Sequence, residues 1–246
     1  MQNFAYSNSP YPIRPDLSDA YRIAWQALAA PGTWWTGADR VSIACEVRAA
    51  QACEFCVERK AALSPVIPLE GGHHTVTTLE ARVVDLTHRL TTDPARLSKQ
   101  WLLDQFDEQI TAGHYVEIIS VVVTVLCIDS FHRALGFELE PLPEPLAGEP
   151  SRHMPANLET ETAWVPLIDQ PAGEDSDLWQ RRRMTNVIRA LSLVPDAVRL
   201  LGTLSNAQYL EMADIPNPNA NGGRALDRAQ IEFIAARVSA LSDCFY

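Results

Sequence analysis

An almost wholly α-helical fold follows from three observations on this 246-residue chain. Several segments of 14 residues or more repeat apolar side chains at helical spacing. Gly and Pro gather between those segments rather than inside them, and no stretch alternates apolar and polar residues with the period of two that a half-buried strand requires.

Residues 17–30 place Tyr21, Ile23, Ala24, Ala27 and Leu28 at helical spacing, offer Ser18 or Asp19 near the start, and stop at Pro31-Gly32. Residues 38–63 contain no Gly or Pro, are rich in Ala and end at Ser64-Pro65, which predicts one long helix. A loop through Gly71-Gly72 leads to an amphipathic stretch at 77–90 that closes before Asp93-Pro94, and a further helix is expected from residue 94 or 95 to 110. Residues 115–135 are Val- and Ile-rich. Their length exceeds an ordinary strand, and Gly136 sits where a helix C-cap belongs, so they are read as helix. Glu117, Asp129 and His132 make the same run too polar for a membrane span. Seven prolines between 141 and 171 lie among acidic residues and read as an extended linker. Helices are then expected at 179–193, from Pro195 to Met212, and from about 226 to Cys244, the last with Ile231, Ile234, Ala235, Val238 and Leu241 on one face. The organisation expected is an N-terminal helical half (1–140), a Pro-rich linker (141–176) and a C-terminal half (177–246).

The apolar fraction of 47% supports a large core, and 31 acidic against 20 basic residues argue against nucleic acid or an anionic membrane surface as partners. No apolar run with basic flanks opens the chain, so a cytoplasmic location is expected. Five cysteines, an odd number, suit a reducing compartment in which thiols serve chemistry or packing; Cys45 and Cys127 lie in apolar runs and read as core.

Two of those cysteines form a dithiol, Cys53-Glu54-Phe55-Cys56. At that spacing on a helix one thiolate can attack a substrate while the other resolves the product into a disulfide. Lys60, one turn beyond Cys56, is placed to supply charge; Glu46, two turns before Cys53, to supply an acid; and His132, with Asp129 a turn before it, to bring a proton carrier from another helix, unless that pair caps a buried helix end. In principle the dithiol is also half of a Cys2His2 zinc site that the adjacent His73 and His74 would complete. Neighbouring histidines rarely aim at one ion, so no metal is expected. Phosphate loops, the GxSxG elbow and dinucleotide fingerprints are missing from the sequence.

The segment from Gln230 to Tyr246, with Glu232 twelve residues before Cys244, resembles the core of the alkylhydroperoxidase AhpD and carboxymuconolactone decarboxylase superfamily. There a glutamate stands at that distance from the first cysteine of a CxxC, and a histidine follows the second cysteine by four. The chain ends at Tyr246, one residue short of a second CxxC, which suggests a trimmed second copy. The helix of Cys53 and the Val-rich helix ending Asp129-Ser-Phe-His132 resemble the two-repeat, peroxidase-related members more loosely, with Val41 and Lys60 where the glutamate and histidine would fall. Laid on their cysteines, Ile43, Ala44, Cys53 and Phe55 match Ile234, Ala235, Cys244 and Tyr246, as an internal duplication would.

The resemblance implies an all-α, AhpD-like helical bundle of two related halves that assembles as a homo-oligomer. It implies reduction of a hydroperoxide by Cys53 and Cys56, or by Cys244 and a partner, with Glu232, Glu46 and His132 in proton transfer. No cofactor is needed, and a thioredoxin-like or lipoyl-type disulfide reductant is the expected partner. Two alternatives stand beside this: a decarboxylase-like enzyme on a small organic acid or lactone, and a non-catalytic helical protein.

Overall fold

A computed structural model describes residues 4–64, 69–179, 184–211, 213–242 and 244. The fold is all-α: helices α1 (Pro15–Ala29), α2 (Gly37–Ala50), α3 (Glu54–Ala61), α4 (Ala81–Thr92), α5 (Lys99–Leu103), α6 (Ala112–Leu135), α7 (Asn186–Arg189), α8 (Pro195–Gln208) and α9 (Arg228–Leu241), with one short antiparallel pair, β1 (Leu158–Glu159) and β2 (Leu167–Ile168).

The centre of the molecule is α6. It begins at a capping box in which Thr111 and His114 satisfy each other's amide ends, and it stops at Gly136, whose φ of 71° is the left-handed conformation that a side chain would resist. It is long and apolar enough to cross a membrane by composition, with half of its most apolar window buried against the rest of the fold. Helices α2, α4 and α8 pack on it, and α1 bridges α2 and α8. The shared core takes Tyr21, Trp25 and Leu28 from α1, Ile43 and Val47 from α2, Leu86 from α4, Val116 to Ile128 from α6 and Leu204 from α8. Polar groups on α6 are paired within this core. Glu117 meets Arg40 at 3.2 Å and accepts from the Trp34 amide, and Asp129 takes a two-pronged contact from Arg48 at 2.8 and 2.9 Å.

Several expected elements differ. The helix expected over 38–63 is two: α2 ends at Ala50, residues 51–53 turn, and the chain restarts as α3 with Cys53 as its N-cap. The restart buries both thiols and Arg59 on one side. Residues 94–110 form only a 3-10 turn and the short α5. Ser98 caps one end, and the Asp107 carboxylate takes the amides of Gln109 and Ile110 at 2.8 Å each, competing with helical bonding. Of the helix expected at 179–193 only α7 forms among the described residues, residues 180–183 lying outside them, as does Met212 at the end expected for α8. The Pro-rich stretch carries β1, β2 and a 3-10 turn at Gly173–Asp175, and it is stitched to the first helices: Leu146, Ser151 and Arg152 donate to the carbonyls of Ala29, Gly32 and Thr33 at 2.8–3.0 Å.

The duplication expected from the two cysteines is not reproduced. Cys53 is a buried N-cap, whereas Cys244 is exposed beyond the C-terminal end of α9; the matched Tyr246 lies outside the described residues. The apolar stripe of α9 does not pack on the fold either. Only Ile231 is buried, and Phe233, Ile234, Val238 and Leu241 are exposed. The helix is held at its N-terminal end, where Arg228 donates to the carbonyls of Ile215 and Asn217.

Candidate functional site

The turn at 51–53 puts Cys53 at the N-cap of α3, where unpaired backbone amides and the helix dipole favour a negative charge on its sulfur, and Cys56 in the first turn. Two histidines meet them. His73 arrives on the loop after Gly71, whose φ of 113° only glycine adopts without strain and which passes close over the Phe55 ring. His88 arrives from the buried face of α4, beside Val84 and Leu86, and is itself wholly buried. His73 Nδ1 lies 3.8 Å from Cys53 Sγ and 3.5 Å from Cys56 Sγ, and His88 Nδ1 lies 3.3 Å from Cys56 Sγ. The two imidazole centroids are 4.3 Å apart. All four ligand-type atoms fall within 4.8 Å of one another.

Each imidazole is held from behind by a carboxylate. His88 Nε2 donates to Glu46 Oε2 at 3.0 Å, and both side chains are fully buried. Glu46, on α2, also accepts from Thr75 and Thr77 hydroxyls at 2.7 and 2.6 Å and from the Val76 amide at 3.0 Å. Burial alone would raise its carboxyl, but these donors outweigh burial and keep it below the ordinary range. His73 Nε2 donates to Asp85 Oδ1 at 2.8 Å, and Asp85 is further engaged by Arg59 at 3.0 Å and Arg89 at 2.8 Å.

The two histidines are thereby set apart. Burial pushes His88 down, aided by the nearby His73 and Arg59 charges and only partly offset by Glu46, so it is a neutral imidazole. With its Nε2 proton committed to Glu46, Nδ1 presents a lone pair to Cys56, the arrangement of a base held by a carboxylate. For His73, burial opposes the charge but Asp85 and the two sulfurs prevail and raise it to about 9. Its Nδ1–H then faces both sulfurs as a donor. Burial would raise the Cys53 thiol, yet His73, with the His74 and Cys56 amides, brings it down to about 7. Arg59, buried, adds its Nη2 at 3.7 Å from Cys56 Sγ. Cys53 and His73 line an open cleft of about 600 Å³ with Phe55, Glu58 and Gly72, whereas Cys56 lies behind them.

Of the residues expected from the sequence, Cys53, Cys56 and Glu46 come together. The others do not. His132 is buried in an aromatic cluster, accepting from the Tyr6 hydroxyl at 2.7 Å and donating to the Glu138 carbonyl at 2.7 Å, and its neighbour Asp129 is taken by Arg48. Glu232 accepts from Tyr209 at 2.5 Å and Arg228 at 2.6 Å on the surface of α9. Cys244 is exposed, and Lys60 points to solvent while Arg59 supplies the cation instead. His74 is exposed, and the second histidine of the cluster is His88. His88, Asp85 and Arg59 had no part in the sequence reading. The available signal was a histidine amid the apolar face of α4, four residues after Val84. No protein-family model, curated protein or solved structure matches this chain.

Proposed function

We propose that the protein is a dithiol oxidoreductase that reduces hydroperoxides, with Cys53 as the attacking thiolate and Cys56 as the resolving thiol. One observation carries the reading: two paired thiols share one imidazole, and the inner one also faces a second imidazole backed by a buried carboxylate. Cys53 is the member that lines the cleft. Its thiolate attacks the terminal oxygen of the hydroperoxide, the O–O bond breaks, and the alcohol leaves with a proton, giving a sulfenic acid. His88 then takes the proton from Cys56. The Cys56 sulfur displaces hydroxide from Cys53 as water, using a proton from the imidazoles, and the disulfide forms. A thioredoxin-like or lipoyl-type dithiol would return the pair to its reduced state.

Membership of the AhpD-like superfamily and self-association remain part of the same proposal, now resting on the N-terminal dithiol. A lactone-handling or purely structural role would give the paired thiols no part in the chemistry. The test is hydroperoxide consumption by metal-free protein with a dithiol reductant. Turnover in wild type, lost in both Cys53→Ser and Cys56→Ser, is expected; turnover surviving either substitution overturns the proposal.

A further inference from the structure

The four atoms that meet at the cluster have the dimensions of a metal site. Tetrahedral zinc, with bonds of about 2.3 Å to sulfur and about 2.0–2.1 Å to nitrogen, spaces its sulfur and nitrogen ligands about 3.5 Å apart. Three of the four sulfur–nitrogen separations are 3.3, 3.5 and 3.8 Å, and all four ligand atoms lie within 4.8 Å of one another. Both imidazoles present Nδ1 inward and commit Nε2 to a carboxylate, Asp85 for His73 and Glu46 for His88, which is how zinc-binding histidines are oriented. The ligands come from three separate places, the start of α3, the loop after Gly71 and the middle of α4; Cys56 and His88 are buried behind Cys53 and His73, which line the cleft.

From this geometry we infer that Cys53, Cys56, His73 and His88 bind one Zn2+ in the reduced protein, and that metal and hydroperoxide compete for the same two sulfurs. The metal-binding half stands on the geometry alone; the competition rests on the proposed dithiol chemistry. With four protein ligands the ion has no open position, so it closes the site rather than activating water. On binding, the protons on Cys56, on His73 Nδ1 and on any Cys53 still in its thiol form pass to solvent, and the ion takes two thiolates and two imidazole lone pairs. Oxidation reverses this. The two thiolates give two electrons to the O–O bond of the peroxide, one sulfur–sulfur bond forms, the peroxide oxygens leave as water and alcohol with two protons from solvent, and Zn2+ is released. The zinc-bound pair would thus be a protected store of the dithiol, opened by oxidant.

The experiment titrates reduced, chelator-treated protein with Co2+, followed by its visible bands and by thiolate-to-cobalt charge transfer, then with Zn2+ to displace it. One tetrahedral, thiolate-bound Co2+ per chain is expected. Asp85→Asn should weaken it by about 10- to 100-fold through loss of the orienting carboxylate, Cys53→Ser should remove one thiolate from the charge-transfer intensity, and Cys244→Ser should change nothing. His88→Ala could lose the site by unfolding; His73→Cys, which exchanges one ligand for another, should keep a tetrahedral spectrum with stronger sulfur character. Absence of a tetrahedral spectrum in wild type, or its persistence in a folded His73→Ala/His88→Ala double variant, overturns the site. Added hydrogen peroxide should release one Zn2+ per disulfide formed; retention of zinc after the disulfide forms overturns the competition. Metal binding without peroxide turnover by the metal-free protein would sink the proposed function and leave the site standing, and turnover without metal binding would do the reverse.

Discussion

Glu46 on α2 and His88 on α4 are hydrogen-bonded at 3.0 Å with neither side chain reaching solvent, and the other nitrogen of that imidazole faces the Cys56 sulfur at 3.3 Å. Forty-two positions separate them in sequence. The carboxylate fixes which nitrogen of His88 carries the proton, and so decides whether the imidazole can take one from the thiol.

Glu46→Gln tests that relationship with almost no change of shape. The amide oxygen can still accept from Thr75, Thr77 and Val76, but the NH2 group now faces His88 Nε2 and drives the ring to the tautomer with a proton on Nδ1. Disulfide closure after peroxide addition should slow by about 100-fold, the size of a lost general base, while initial attack by Cys53 slows much less. Rapid-mixing kinetics with thiol-specific mass spectrometry separates the two steps.

Glu232→Gln and Cys244→Ser should leave peroxide consumption at the wild-type rate, because Glu232 is engaged by Tyr209 and Arg228 on α9 and Cys244 is exposed. A tenfold loss in either would return the chemistry to the C-terminal segment.

Gly32 sits where a methyl group would fall 1.7 Å from Glu117 Oε1 and 2.3 Å from Arg40 Nη1. That ion pair is almost wholly buried, and a carboxylate separated from its partner there is costly to leave unpaired. Gly32→Ala should destabilise the protein by about 3 kcal/mol or more, read as a lowered denaturation midpoint in urea.

Acid should weaken the start of α6. Burial, with the Arg152 charge nearby, lowers His114 to about 4, and its Nδ1 accepts from the Thr111 amide at 3.2 Å and hydroxyl at 2.9 Å, which a protonated ring cannot do. The unfolded chain takes up this proton near the ordinary histidine value of about 6.5, so the contribution is complete above that pH and is lost as pH falls from there to about 4. The loss amounts to at most about 3 kcal/mol. Unfolding free energies at neutral pH and at pH about 4.5 should differ less in His114→Gln, which keeps an acceptor for the capping box without titrating.

Local periodicity made much of the fold legible. The cores of α1, α6, α8 and α9, the C-cap at Gly136 and the all-α class depend on side chains three or four positions apart, and neighbours in sequence carry that information. The break at 51–53 was hidden because nothing there resembles a stop. Gln51 and Ala52 continue a helix comfortably by residue type, and the turn goes with the burial of both thiols and Arg59, which depends on distant segments. The helix expected over 94–110 failed for a different reason, as Ser98 and Asp107 spend their side chains on backbone amides.

By itself, then, the sequence determined a helical protein with a CxxC pair and an acid two turns before it, since each of these is a matter of residue type and short spacing. Which groups would surround that pair was decided only by packing. The approach of α4 to α2 joins His88 to Glu46, the loop after Gly71 delivers His73, and the same packing takes His132 to Tyr6 and leaves Glu232 and Cys244 on the surface. Side chains converge on a site through contacts between distant segments, and helical periodicity carries no information about those.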